Sequence, residues 1–238
     1  MYINGVRVPV AGATGVLGGV LTAEPAGRGA RPALAGRDPG RLARAAQPRP
    51  GAPPVPFDAY DSAPRTRAVH GPAAGSGGLD AVVTAFGPVG SGPVDFGRAT
   101  GVGDEAAEYR MAADVPAPAA FFRAAPGIMR PGSVIATLTG GVSGRPRART
   151  ADHSASEAAP RARLVAARPG ARTTDFRILD IRPGHRDTGF ADRPTARTTP
   201  VGRDPHQRVG VVVDATEAEA EPPRTAPDGT PVADRRAR

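Results

Sequence analysis

Residues 11–19 read Ala-Gly-Ala-Thr-Gly-Val-Leu-Gly-Gly and follow directly on the apolar run Val6-Arg7-Val8-Pro9-Val10. This juxtaposition predicts a buried strand that turns sharply into a helix. Gly12, Gly15 and Gly18 stand where such a turn needs a positive φ, a backbone that approaches an anion closely, and a small residue packing helix on strand. A helix opening there offers free N–H groups and the positive end of its dipole to a pyrophosphate. Glycine makes up 31 of the 238 residues, so the triplet alone says little. Its place after a strand-like run and before a helix-like one is what gives it meaning.

Composition narrows the remaining classes. The length suits one α/β domain or two small ones. No apolar stretch is long enough for a membrane span and the first residues lack a signal-peptide core, so the expectation is a cytoplasmic protein without a membrane partner. The absence of Cys excludes disulfides, thiol chemistry and Cys-ligated metals. The four His, at 70, 153, 185 and 206, show no ligand spacing, and no metal site is expected. Leu, Ile, Val and Phe together supply 42 of 238 residues, and Pro plus Gly supply 59. Both lie near the limits for a well-packed globular chain, which predicts a thin core. All 31 basic residues are Arg and the net charge is +8. Arg is spread along the whole chain without a patch or interleaved aromatics, which argues against nucleic acid as a partner. Arg, Ala, Gly and Pro share GC-rich codons, so base composition alone accounts for this balance.

Alternating elements follow along the chain: strands at 6–10, 31–36, 79–85, 133–138 and 176–182, and helices at 14–28, 38–46, 104–122 and 152–168. Asp38-Pro39 is a good N-cap and N1 pair. Residues 47–56 read as a Pro-rich loop, 209–214 as a last strand, and the segment from 217 as a charged, Pro-rich, disordered tail. Alternation of this kind predicts a doubly wound parallel sheet of Rossmann type in a single domain over 1–200, with 201–238 carrying the last strand and tail.

Several segments now stand in a familiar order: Gly12-Ala-Thr-Gly-Val-Leu-Gly18, Ala35-Gly-Arg-Asp-Pro39, Phe57-Asp58, Val82-Val-Thr-Ala-Phe-Gly87, Ser133-Val-Ile-Ala-Thr-Leu-Thr139, His153-Ser-Ala-Ser-Glu-Ala-Ala159 and Arg182-Pro-Gly-His-Arg-Asp-Thr188. Over roughly residues 5–195 the chain resembles the short-chain dehydrogenase/reductase family. The resemblance implies an NADP-dependent oxidoreductase that passes a hydride between the cofactor and a carbonyl or alcohol. It places Gly12, Thr14, Gly15, Val16, Leu17 and Gly18 around the pyrophosphate and Asp58 at the adenine. Ala85, Phe86 and Gly87 replace the family's Asn-Ala-Gly loop, and Thr188 falls at the nicotinamide amide. Ala35 stands where NAD-preferring members carry an acid, and Arg37 is positioned for a 2′-phosphate, so NADP is favoured over NAD. Arg37 reads equally as one exposed Arg among 31.

The catalytic positions depart from the family. Its Tyr and Lys, four apart on one helix, correspond to His153 and Glu157. Its Ser, thirteen residues earlier, corresponds to Gly140 beside Thr139, and its Asn to Asp114. Each replacement is one transition mutation away, as are the Leu-to-Pro changes that would explain Pro25, Pro116 and Pro160 in helices. Pro9 and Pro32 fall in what should be inner strands, where each removes a ladder donor. The pattern suggests a family copy drifting under GC-raising mutation. Within the tetrad positions, His153 is the expected proton donor, with Glu157 orienting it and raising its pKa, and Thr139 supplies the hydroxyl that Gly140 lacks. The same His–Glu spacing is also an ordinary helix-surface contact. Three readings follow: an oxidoreductase with weakened or absent activity, a non-catalytic NADP(H)-binding protein, and a poorly folded product without a role. The resemblance also implies homo-oligomers through two long helices, an interface that Pro116, Pro118 and Pro160 weaken.

Overall fold

The computed structural model describes residues 3–73, 77–87, 104–146 and 151–183, together with an antiparallel two-residue pair, Arg224–Thr225 with Pro231–Val232. Thr188, the segment 189–200 and the expected strand at 209–214 lie outside the described residues, as does most of the segment from 217.

Six parallel strands form one sheet in the order β3-β2-β1-β4-β5-β6. They are β1 (Arg7–Ala11), β2 (Arg31–Gly36), β3 (Pro54–Pro56), β4 (Leu79–Thr84), β5 (Met129–Leu138) and β6 (Arg177–Ile181). The helices are α1 (Val16–Gly27), α2 (Pro39–Ala46), α3 (Ser62–Ala73), α4 (Asp104–Asp114), α5 (Pro116–Ala124) and α6 (Ala151–Thr173). Alternation along the strands builds two cores. Val8 and Val10 face one side, with Val20 and Leu21 of α1 and Leu42 of α2. Ala11, Leu79 and Val82 face the other, with Ala68 and Val69 of α3 and Phe121 of α5. The chain leaves β1 in one direction toward β3 and restarts at β4 in the other. The switch point therefore lies between the carboxyl ends of β1 and β4, where ligands of such sheets bind.

Register explains how this sheet accommodates its prolines. Arg31 donates its backbone N–H to Val6 O at 2.7 Å, so the N–H positions of β2 alternate from β1 at Arg31 to the far side at Pro32. The far neighbour, β3, pairs only from Leu34 onward. Pro32 thus removes no ladder bond, contrary to the expectation from sequence. Pro9 does have a consequence. Its nitrogen faces β4, and the β1–β4 ladder begins only at Val10 and Ala11. One pleat earlier the Arg7 amide donates to the Asp80 carboxylate at 2.9 Å instead. In β3 the Phe57 amide donates to Gly36 O at 3.0 Å, which turns the nitrogens of Pro54 and Pro56 outward. Two prolines there blunt the sheet edge.

Two further expectations are corrected. The single helix expected over 104–122 is two helices broken at Val115, with Pro116 as the opening residue of the second. At that position the missing N–H costs nothing. Pro25 and Pro160 do sit inside helices, as expected, and Pro72 and Pro169 join them. The segment 47–56, read as loop, ends in β3, and α3 was not foreseen at all.

Candidate functional site

The glycine turn has the geometry its spacing implies. Gly12 has φ +88, and a Cβ on it would lie 2.5 Å from the Ala85 carbonyl oxygen. A Cβ on Gly18 would lie 2.1 Å from Gly12 O. Neither position tolerates a side chain. Gly15 is the N-cap of α1 without a side-chain cap, and its amide donates to Gly12 O at 2.9 Å. Val16 and Leu17 open α1 above it, so the helix presents its first N–H groups at the switch point.

Across the crevice the end of β4 is tied to β1 by the Ala85 amide, which donates to Ala11 O at 2.8 Å. Phe86 turns its ring into the core, edge-on to Phe57 at 5.1 Å. Gly87 lies beside Asp114, whose Oδ1 would be 3.9 Å from a Cβ there.

At the outer end stand Arg37 and Arg41, the second without a place in the sequence-based expectations. Arg41 donates from Nη2 to Thr14 O at 2.5 Å, which lays its guanidinium against the glycine turn. Asp38 caps α2 by accepting the Arg41 amide at 2.9 Å. The cap fixes Arg37 just before the helix and Arg41 one turn into it. Both side chains are exposed, and the signal in the sequence is their i, i+4 spacing around a capping Asp. Arg37 Nη1 also donates to Tyr109 Oη at 3.2 Å. The Tyr109 ring stacks on Tyr60 with centroids 3.9 Å apart. Asp58 accepts the Tyr60 amide at 3.0 Å, fixing the turn that carries this ring. Burial and the adjacent Tyr109 raise the Tyr60 phenol above its ordinary pKa.

The inner end brings together Asp114, Gly140, His153 and Glu157. Donor atoms of Asp114 on α4 and of His153 and Glu157 on α6 lie within 4.8 Å of one another. Asp114 is buried, accepting Ser156 Oγ–H at 2.6 Å. Burial pushes its carboxyl up to about 6, against the opposing pull of the Ser156 hydrogen bond and of Arg110. Glu157 Oε2 accepts the Gly140 amide at 2.9 Å. Burial and the neighbouring Asp114 carboxylate push Glu157 up to about 8, so it holds its proton at neutral pH. His153 is driven the other way, down to about 4, by burial and by the Arg110 guanidinium. The sequence reading had Glu157 raising the His153 pKa. Here desolvation prevails, the imidazole is neutral, and Glu157 is bonded to Gly140.

Thr139 also departs from its expected part. Its hydroxyl donates to Asp180 Oδ1 at 2.5 Å, and Asp180 Oδ2 lies 3.1 Å from Arg182 Nε. That hydroxyl is therefore engaged by the Asp180 carboxylate. The cluster of Asp114, His153 and Glu157 has the donor types and size to hold a divalent cation, a juxtaposition that His spacing in the sequence does not reveal. Arg110 puts its own positive charge beside all three groups, which opposes a cation there.

Solved structures of similar fold include several dehydrogenases/reductases. A dehydrogenase/reductase from Sinorhizobium meliloti matches with a TM-score of 0.75 and 22% identity, over 90% of this chain and 90% of that one. The chain has the fold of the short-chain dehydrogenases/reductases. A short-chain type dehydrogenase/reductase from Mycobacterium ulcerans matches with a TM-score of 0.79 and 19% identity, over 91% of this chain and 86% of that one. A short-chain dehydrogenase from Burkholderia cenocepacia, solved in complex with NADP, matches with a TM-score of 0.73 and 22% identity, over 91% and 86%. No family model matches the sequence, and no curated protein does. Among the described residues no helix is long and apolar enough to cross a membrane.

Proposed function

We propose that this chain is an NADP(H)-binding oxidoreductase of the short-chain dehydrogenase fold whose hydride-transfer chemistry is strongly weakened. One contrast carries the reading. Gly12 and Gly18 leave no room for a side chain in the cradle, while all four catalytic positions hold other residues. The residues present fit a dinucleotide. The turn and the first N–H groups of α1 would hold the pyrophosphate, and Arg37 with Arg41 would hold a 2′-phosphate. Several solved neighbours of the same fold are complexes with NADP or NADPH, which supports this choice.

A nicotinamide bound in the crevice would supply the hydride. The chain's own part is the proton. His153 is neutral with a depressed pKa, so it is a poor acid at neutral pH. Glu157 holds a proton below about pH 8 and is the better donor. The family's ammonium group, which holds a ribose and lowers a Tyr pKa, has no equivalent in a chain without Lys. Slow turnover follows. The test is NADPH oxidation by the wild type beside a variant carrying Asp114→Asn, Gly140→Ser, His153→Tyr and Glu157→Lys. Gly140 admits a Cβ at ordinary contact distance, 3.4 Å from Val142 Cγ2 and 3.6 Å from Glu157 Cδ. Turnover confined to the restored variant supports the reading. Equal, rapid turnover by the wild type overturns it.

A further inference from the structure

Arg110 lies on α4, one turn before Asp114, and is 4% exposed. Its Nε and Nη1 are buried without a hydrogen-bond partner. Among the described residues no carboxylate comes within ion-pair distance of it, although Asp114 and Glu157 both feel its charge. Two buried N–H donors in this condition are costly, because their desolvation is not returned by a hydrogen bond. The cost is hard to explain as a contribution to stability. It is readily explained if the partner arrives from outside.

Resting on the reading of this crevice as the substrate end of an oxidoreductase site, we infer that Arg110 anchors a small carboxylic acid whose carboxylate is its missing partner. A planar carboxylate matches either fork edge of the guanidinium with two parallel N–H···O bonds. The neighbours of Arg110 define the rest of the ligand. Arg110 lies one turn before Asp114 on α4, and α4 packs on α6, which carries His153 and the Glu157 carboxyl fixed by the Gly140 amide. A 2-oxo or 2-hydroxy acid is the class that fits, because its reacting oxygen sits on the carbon next to the carboxylate, directed from α4 toward the helix that packs on it.

The test is a titration of the full chain with 2-hydroxybutyrate and 2-oxobutyrate, beside the uncharged methyl ester of each. Saturation-transfer NMR reads binding, with and without NADPH. The acids should bind at least tenfold more tightly than the esters. Arg110→Gln should abolish that difference while NADPH affinity, read by its fluorescence, stays within twofold. Its far-UV circular dichroism should match that of the wild type, which shows that the variant is folded. Arg110→Lys keeps the charge without the fork and should lose about tenfold for the acids, which maintains the test if the Gln variant does not fold. Equal binding of acid and ester, no binding of either acid, or an acid preference that survives in both variants overturns the inference. Failure of NADPH to bind would overturn the proposed function instead, and the acid–ester comparison without cofactor would still decide this one.

Discussion

Glu157 Oε2 accepts the backbone amide of Gly140 at 2.9 Å, tying α6 to the segment that follows β5. A half-buried carboxyl beside Asp114, held by one amide, retains its proton up to about pH 8. The sign of the consequence follows by linkage. The folded-state pKa is above the unfolded value of 4.5, so the stabilising proton is lost as pH rises toward 8. Asp114 behaves likewise up to about 6. His153, neutral in the fold, costs stability only as pH falls from 6.5 toward 4. Thermal melts should therefore show stability declining by about 2 kcal/mol between pH 6.5 and 8. Glu157→Gln should flatten that decline, since an amide oxygen can still accept from Gly140.

The cradle gives a steric prediction. Gly18→Ala would force a Cβ to 2.1 Å from Gly12 O, so it should cost about 3 kcal/mol or more and abolish NADPH binding. Gly15→Ala meets the same oxygen at 3.3 Å and should be much milder. Chemical denaturation and NADPH fluorescence, run on both variants, read the two effects separately.

Arg37 and Arg41 give a cofactor-selectivity prediction. A charge-assisted contact contributes about 1.5–3 kcal/mol. Arg37→Ala and Arg41→Ala should each weaken NADPH binding about ten- to a hundredfold. NADH binding should change little. Parallel titrations with the two cofactors check this, and a matched loss for both would show that these side chains hold something other than the 2′-phosphate.

Pro169 gives a stability prediction. It is exposed inside α6, where a ring removes a helical hydrogen bond and crowds the preceding turn. Pro169→Ala takes away no core contact and should stabilise the chain by on the order of 1–3 kcal/mol, visible as a rise in melting temperature.

The sequence makes some of this structure plain and conceals the rest for identifiable reasons. The glycine turn, β2 and the Asp38 cap are local. Each depends on residues within a turn of one another, and each forms as its residues imply. The segment Pro54–Pro56 looks like loop because an edge strand needs no inward donors from its prolines, a fact that only register supplies. Helix α3 contains Pro72 and Gly71 and lacks an amphipathic stripe, so its packing on α5 was not foreseeable. At the site, His153 and Glu157 were visible as a helical pair. Their relation to Asp114 is a product of α4 packing on α6. Arg110 carried no sequence signal beyond lying one turn from Asp114. The direction of the His153 shift was misjudged because spacing shows a neighbour and does not show desolvation.

The central proposal is that the glycine cradle binds NADP(H). Titration of the wild-type chain with NADPH, followed by nucleotide fluorescence, tests it most directly. The account expects saturable binding, with NADPH preferred over NADH by at least tenfold. No binding at millimolar NADPH would contradict it.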